Sequence, residues 1–262
     1  MKKLIKAAVL ASFAIVTLSA QALPPANGAT PAAAAAPGGP PKEEIDALQK
    51  IQQATDPDAR MKGVDDFALK FPTSSFLGYA FTMAGEAAQN KRDSGKAKFY
   101  YENAIKADPN SDYAMIMLGV EIAQGVLPND LDKKQKLEQA QSYAEKGTDL
   151  VSKRAKQPAE TDADFDASKK DDIARGHMAF GLIKMANGQD GEAGKEFLLA
   201  ADSPHPDVMN LIRAGMAFNN AKQFDEANKA LDKFIAFPGM PDQYKKIAED
   251  EKKRGQQIKN QK

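Results

Sequence analysis

The chain contains no cysteine, no tryptophan and only two histidines among its 262 residues. Without cysteine it can form no disulfide and cannot carry a lipid on an N-terminal cysteine. Two isolated histidines and no HExxH pair leave a zinc site nothing to build on. Neither GxxxxGK nor GxGxxG occurs, so the common phosphate-cradling loops are missing. No GxSxG is present, and no serine stands beside a histidine as a nucleophile. Charge of neither sign dominates, with 36 basic and 36 acidic side chains. That balance argues against nucleic acid, which needs a basic footprint.

Long apolar runs are also scarce. The longest, residues 7–18, is 12 residues, short of the roughly 20 that span a bilayer. It follows Lys2, Lys3 and Lys6 and precedes the small-x-small triplet Ala20-Gln21-Ala22. This pattern predicts a secretory signal over residues 1–22, with export to a bacterial periplasm or to the medium and no integral membrane segment after cleavage. Loss of its three lysines would leave a slightly acidic chain. Residues 23–41, LPPANGATPAAAAAPGGPP, are low in complexity and carry no bulky apolar residue after Leu23, so they read as a disordered Pro/Ala-rich tether.

What is present from residue 42 to 262 is helical. Ala, Lys, Glu, Gln and Met are plentiful and β-branched residues few. Helices are expected over residues 42–54, 57–70, 75–90, 93–107 and 111–125. A long one is expected to end near 156, and others over 172–187, 190–201, 207–220, 224–237 and from 242 onward. The first should turn Ile45, Leu48 and Ile51 inward, and the second Met61, Val64, Phe67 and Leu69. Asp190 is a candidate cap, and residues 157–166 read as an acidic connection. Small residues recur at a fixed period: Gly85, Gly119, then Gly181 and Gly215. Two of these steps are 34 residues; the third is 62, with about nine residues inserted around 126–136. Periodic small residues on apolar helical faces indicate a stacked array of helix pairs, because two helices approach closely only where side chains are small.

In this respect the chain resembles the tetratricopeptide repeat family. Gly85 falls at the small position of the family's first helix. Ala97, Tyr101 and Ala104 fall at positions of the second, and Pro109 is the terminal proline. Phe81 stands where the family has Trp, and Ala88 where it has Tyr. The resemblance implies an all-α, right-handed α-solenoid of antiparallel helix pairs, about five units, with a C-terminal capping helix. It also implies a concave face lined by the first helices. Carried over, that face comprises Tyr79, Thr82, Glu86 and Gln89, then Tyr113, Ile116 and Val120. Arg175, Met178, Leu182 and Met185 follow, then Met209, Ile212, Met216 and Asn219. Its middle and end are apolar and Met-rich, which suits either an adaptable peptide groove or a face covered by the inserted segment near 126–136 or by the curvature of the array.

Other constellations are weaker. Asp162, Asp164 and Asp166 imitate the start of a calcium loop, but Ala167 and Ile173 stand where Gly and Glu are needed. His177 is expected as a packed residue on an inward helix face, and His205 lies in a turn between prolines. No cofactor, metal or catalytic residue is expected. The leading expectation is an exported scaffold that binds a partner protein or peptide. The alternative is a structural component of an envelope or secretion assembly. An enzyme or carbohydrate-handling module ranks below both.

Overall fold

The computed structural model describes residues 41–261. Among them are eleven α-helices and no strand. In chain order these are α1 (Lys42–Gln53), α2 (Pro57–Lys70), α3 (Leu77–Asn90), α4 (Ser94–Ala107), α5 (Asp112–Gln124) and α6 (Lys133–Lys153). They continue as α7 (Asp162–Ala186), α8 (Asp190–Ala200), α9 (Met209–Asn220), α10 (Phe224–Ile235) and α11 (Asp242–Asn260). Each helix packs on the next, and α1 also meets α3, α5 meets α7 and α9 meets α11. Adjacent pairing of this kind is consistent with a helical repeat. The signal over 1–22, and all of the tether but Pro41, lie outside the described residues; Pro41 is the N-cap of α1. No described helix is long and apolar enough to cross a membrane.

The recurring glycines sit at the helix crossings. A methyl group on Gly85 would lie 2.5 Å from the Tyr101 ring, one on Gly181 2.6 Å from Phe197, and one on Gly215 2.6 Å from Leu231. In each case the large partner follows sixteen residues later and is fully buried. A glycine here lets the second helix lay its bulk directly on the first. Gly119 makes the same approach to the backbone of α6: a methyl group there would lie 2.9 Å from the Ala140 carbonyl and 3.3 Å from Ala144 Cβ. Ala144 is 25 residues on, so the contact survives an insertion of nine.

Three of the pairs also share one turn. Arg92, Gly188 and Lys222 take φ of 59°, 76° and 60°, each seven residues after its glycine. The next N–H returns to a carbonyl five residues back: Asp93 to Ala88, Gln189 to Lys184 and Gln223 to Phe218, at 2.8–2.9 Å. This left-handed step ends the first helix and reverses the chain within three residues. After Gly119 the same position opens the inserted segment, and α6 begins only at Lys133.

Several expectations are corrected. Leu69 is 83% exposed, so α2 buries only Met61, Val64 and Phe67. Ile51 is buried on α1, but Ile45 reaches solvent, and the buried residue of its first turn is Glu44. Asp190 is the first residue of α8 rather than its cap; Gln189 stands at the cap and makes no capping bond. Residues 157–166 are not simply a connection, since α7 already begins at Asp162 and runs 25 residues. Thr161 caps it, accepting from the Asp164 amide at 3.1 Å and donating to its carboxylate at 2.7 Å. Asp162 and Asp164 in that first turn suit the helix dipole. No apolar period precedes Ile173, so the extension left no mark in the hydrophobic pattern.

The core follows the stack. One apolar cluster runs from Ile51 to Ala230, and a smaller one joins Leu211, Ile212, Leu231, Phe234, Met240, Tyr244 and Ala248 at the C-terminal end.

Candidate functional site

The stripe expected as an apolar groove divides into two sets. Ile116, Val120, Met178, Leu182 and Ile212 are buried between helices, and Thr82 and Asn219 are buried with them. Tyr79, Glu86, Gln89, Tyr113, Arg175, Met185, Met209 and Met216 are half-buried. The apolar members therefore fill the seams, and aspartate at Met178 or Leu182 would test packing rather than capture. In the inserted segment Leu127 and Leu131 are both exposed. The C-terminal end is covered instead by α11. Asn219 donates to the Glu251 carboxylate at 2.8 Å and to its carbonyl at 3.1 Å. Arg254 joins Glu251, the Asn220 side chain and the Met216 carbonyl.

In the middle of the face runs a chain of polar contacts, partly buried, across α3, α4, α5, α6 and α7. Tyr101 donates to Gln89 at 2.6 Å, and Gln89 donates to Glu121 at 2.7 Å. Tyr113 meets the Tyr101 ring edge-on and shares a hydrogen bond with Glu86. The Arg175 guanidinium lies 5.2 Å from the Tyr113 ring centre and donates to Asp172 at 2.7 Å. Arg154, the C-cap of α6, donates to the other oxygen of Asp172 at 2.9 Å. It also stands 3.5 Å from Asp112 on α5. Its Nε and Nη1 are buried and make no hydrogen bond among the described residues.

The extension of α7 explains this cluster. Asp171 and Asp172 fall where an unextended helix would start, but here the helix continues upstream and its amides are already bonded. Their carboxylates must find partners elsewhere. Asp172 takes the two arginines. Asp171 accepts from the His205 amide at 3.0 Å and contacts its Nδ1 at 2.8 Å. Burial alone would raise the Asp171 carboxyl; the His205 and Ser203 hydrogen bonds outweigh it and leave it below the usual range. The opposite balance holds elsewhere. Burial pushes Glu86 up against the pull of Tyr113, Arg175 and Arg60. Burial also raises Asp112 to about 6, although Arg154 opposes it.

Sequence reasoning placed Glu86, Tyr113 and Arg175 on one face, and the structure brings them together. It did not identify Asp112, Arg154 or Asp172. Asp112 lay unremarked in the helix expected over 111–125, and Arg154 in a stretch read as a long helix ending near 156. His177 is half-buried at the α7–α8 seam rather than packed in the core: its Nδ1 is 2.8 Å from Glu196, which also accepts from Lys184 at 2.6 Å. Among the described residues, no group of three or more metal-ligating side chains is placed to hold an ion. Asp162, Asp164 and Asp166 lie along the first turns of α7, not in a loop. No protein-family model matches this chain, and no curated protein matches it.

Proposed function

We propose that the chain is an exported protein-interaction scaffold of tetratricopeptide-like architecture, a right-handed α-solenoid whose first helices face a partner segment. The observation that carries this reading is the contact of Gly85, Gly119, Gly181 and Gly215 with a residue of the following helix, sixteen residues on in three pairs and twenty-five in the interrupted one. Such an array offers one long surface rather than a closed cavity. On that surface the half-exposed residues are Tyr79, Glu86, Tyr113, Arg175, Met185 and Met216, a mixture of aromatic, charged and thioether groups. Tyrosine and arginine are the side chains that most often anchor protein interfaces. The partner is a protein or peptide, and the role is binding without catalysis or cofactor.

The test is photo-crosslinking from Tyr79 and Met185, with Phe99 on α4 and Leu199 on α8 as controls. Export is tested at the same time by recovering the protein from the envelope fraction. The expected result is a discrete adduct from the two face positions and none from the controls. Equal labelling from all four, or none from any, would reject the face as the binding surface. Adducts between two copies of the chain would favour the alternative, a subunit of a larger assembly.

A further inference from the structure

We propose that Asp112, Arg154 and Asp172 form a proton-responsive clasp that ties the first turn of α5 to the corner where α6 ends and α7 passes. The clasp is drawn tight when Asp112 is ionised and slack when it is protonated. Three observations carry it. First, both carboxylates are deeply buried and converge on one guanidinium, at 2.9 and 3.5 Å. Second, the arginine is held asymmetrically: Nη2 is hydrogen-bonded to Asp172, whereas the buried Nη1 faces Asp112 by charge alone. Third, Asp172 is already shared with Arg175, so it is the fixed end of the clasp and Asp112 the releasable one.

The groups around Asp112 set the direction. Arg154 past the end of α6 favours its charge. Asp172 on α7 and Asp108 beyond α4 oppose it, and burial opposes it most. Arg175 on α7 and Glu86 on α3 stand one step away through Asp172 and Tyr113. The ionised carboxyl accepts from the Tyr113 amide at 2.7 Å and keeps Arg154 between two anions. On protonation Arg154 is left to Asp172, and the face around Tyr113 and Arg175 gains positive charge.

The linkage has a definite sign. The carboxyl sits near 6 in the folded chain and near 4 in an unfolded one. The folded state therefore binds the proton more tightly, and this site's contribution to stability falls as pH rises from about 4 through 6. Melting temperatures of the wild type, Asp112→Asn, Arg154→Gln and the double variant at pH 7.5 and 5.0 test this. Asp112→Asn should melt higher than wild type at pH 7.5 and level with it at pH 5.0. The coupling between the two substitutions should be present at pH 7.5 and lost at pH 5.0. If Arg154→Gln does not fold, Arg154→Lys replaces it. Carbon-detected NMR of the Asp112 carboxyl in the unmodified protein supplies the direct reading. A midpoint near 6, with resonances of residues 151–156 moving in step, supports the clasp. A midpoint below about 4.5, or coupling equal at both pH values, overturns it.

Discussion

The pairs α7–α8 and α5–α6 solve one packing problem with different chain between the helices. In α7–α8 a three-residue turn with a left-handed step at Gly188 places Phe197 over Gly181. In α5–α6 no such turn exists, nine more residues intervene, and the residue over Gly119 is Ala144. Both still bring the second helix onto a glycine of the first. The crossing is thus specified by the two faces that meet, and the loop only has to be long enough, since loop closure costs little per added residue. The interruption does change the helices downstream of it. In that unit the second helix overruns to Lys153, and the next helix starts early at Asp162. Arg154, Asp172 and Asp112 are brought together there, and nowhere among the regular pairs.

Truncation of the large partner breaks the comparison most strongly. Phe197→Ala empties a fully buried site and should cost about 3–5 kcal/mol in urea unfolding. Ala144→Gly, its counterpart in α6, should cost only about 1 kcal/mol, mainly through helix propensity. Comparable losses would mean that Ala144 contributes more at its crossing than helix propensity. The glycines come next. Gly85→Ala and Gly181→Ala press a methyl group into a buried ring and should lose about 1–3 kcal/mol, read by the same melts. Combining Gly181→Ala with Phe197→Leu should lose less than the sum of the two singles. Gly215→Ala should lose a similar amount, because the methyl group would meet Leu231 Cγ as well as Cδ2, each at 2.6 Å, and Leu231 is fully buried.

Smaller effects sharpen the picture at the turns. Arg92→Gly and Lys222→Gly relieve a left-handed backbone and should raise stability by up to about 1 kcal/mol. Val126→Gly, at the corresponding place in the interrupted unit, should bring no gain. Least of all, Leu131→Asp in the inserted segment should shift the melt by no more than about 0.5 kcal/mol, since that side chain is fully exposed.

Much of this fold is readable in the chain. The small positions at 85, 119, 181 and 215, with a large residue sixteen further on in three pairs and Ala144 twenty-five further on in the fourth, predict which faces touch. Asp56 and Asp93 stand at helix starts and cap them, accepting from Ala59 at 2.9 Å and Lys96 at 3.0 Å. The early start of α7 was not readable, because Phe165 is its one bulky apolar residue and it is held by Thr161 and by contacts such as Lys169 to the Ser152 carbonyl at 2.6 Å. The site was half-readable. The family resemblance assigned Tyr113 and Arg175 to a face, but it assigned Ile116, Met178 and Leu182 to the same face with equal weight. A helix side wide enough to touch both neighbours looks alike in sequence whether its residues end in a seam or beside it.

The repeat itself is written in the order of residues. Only glycine lets two helix backbones meet with a ring or leucine between them, so its spacing carries the crossing points directly. Which charges face one another is a different matter. Asp112, Arg154 and Asp172 come from three helices, and burial and electrostatic strength depend on the distance and dielectric that packing creates. Those quantities exist only once α5, α6 and α7 have closed around them.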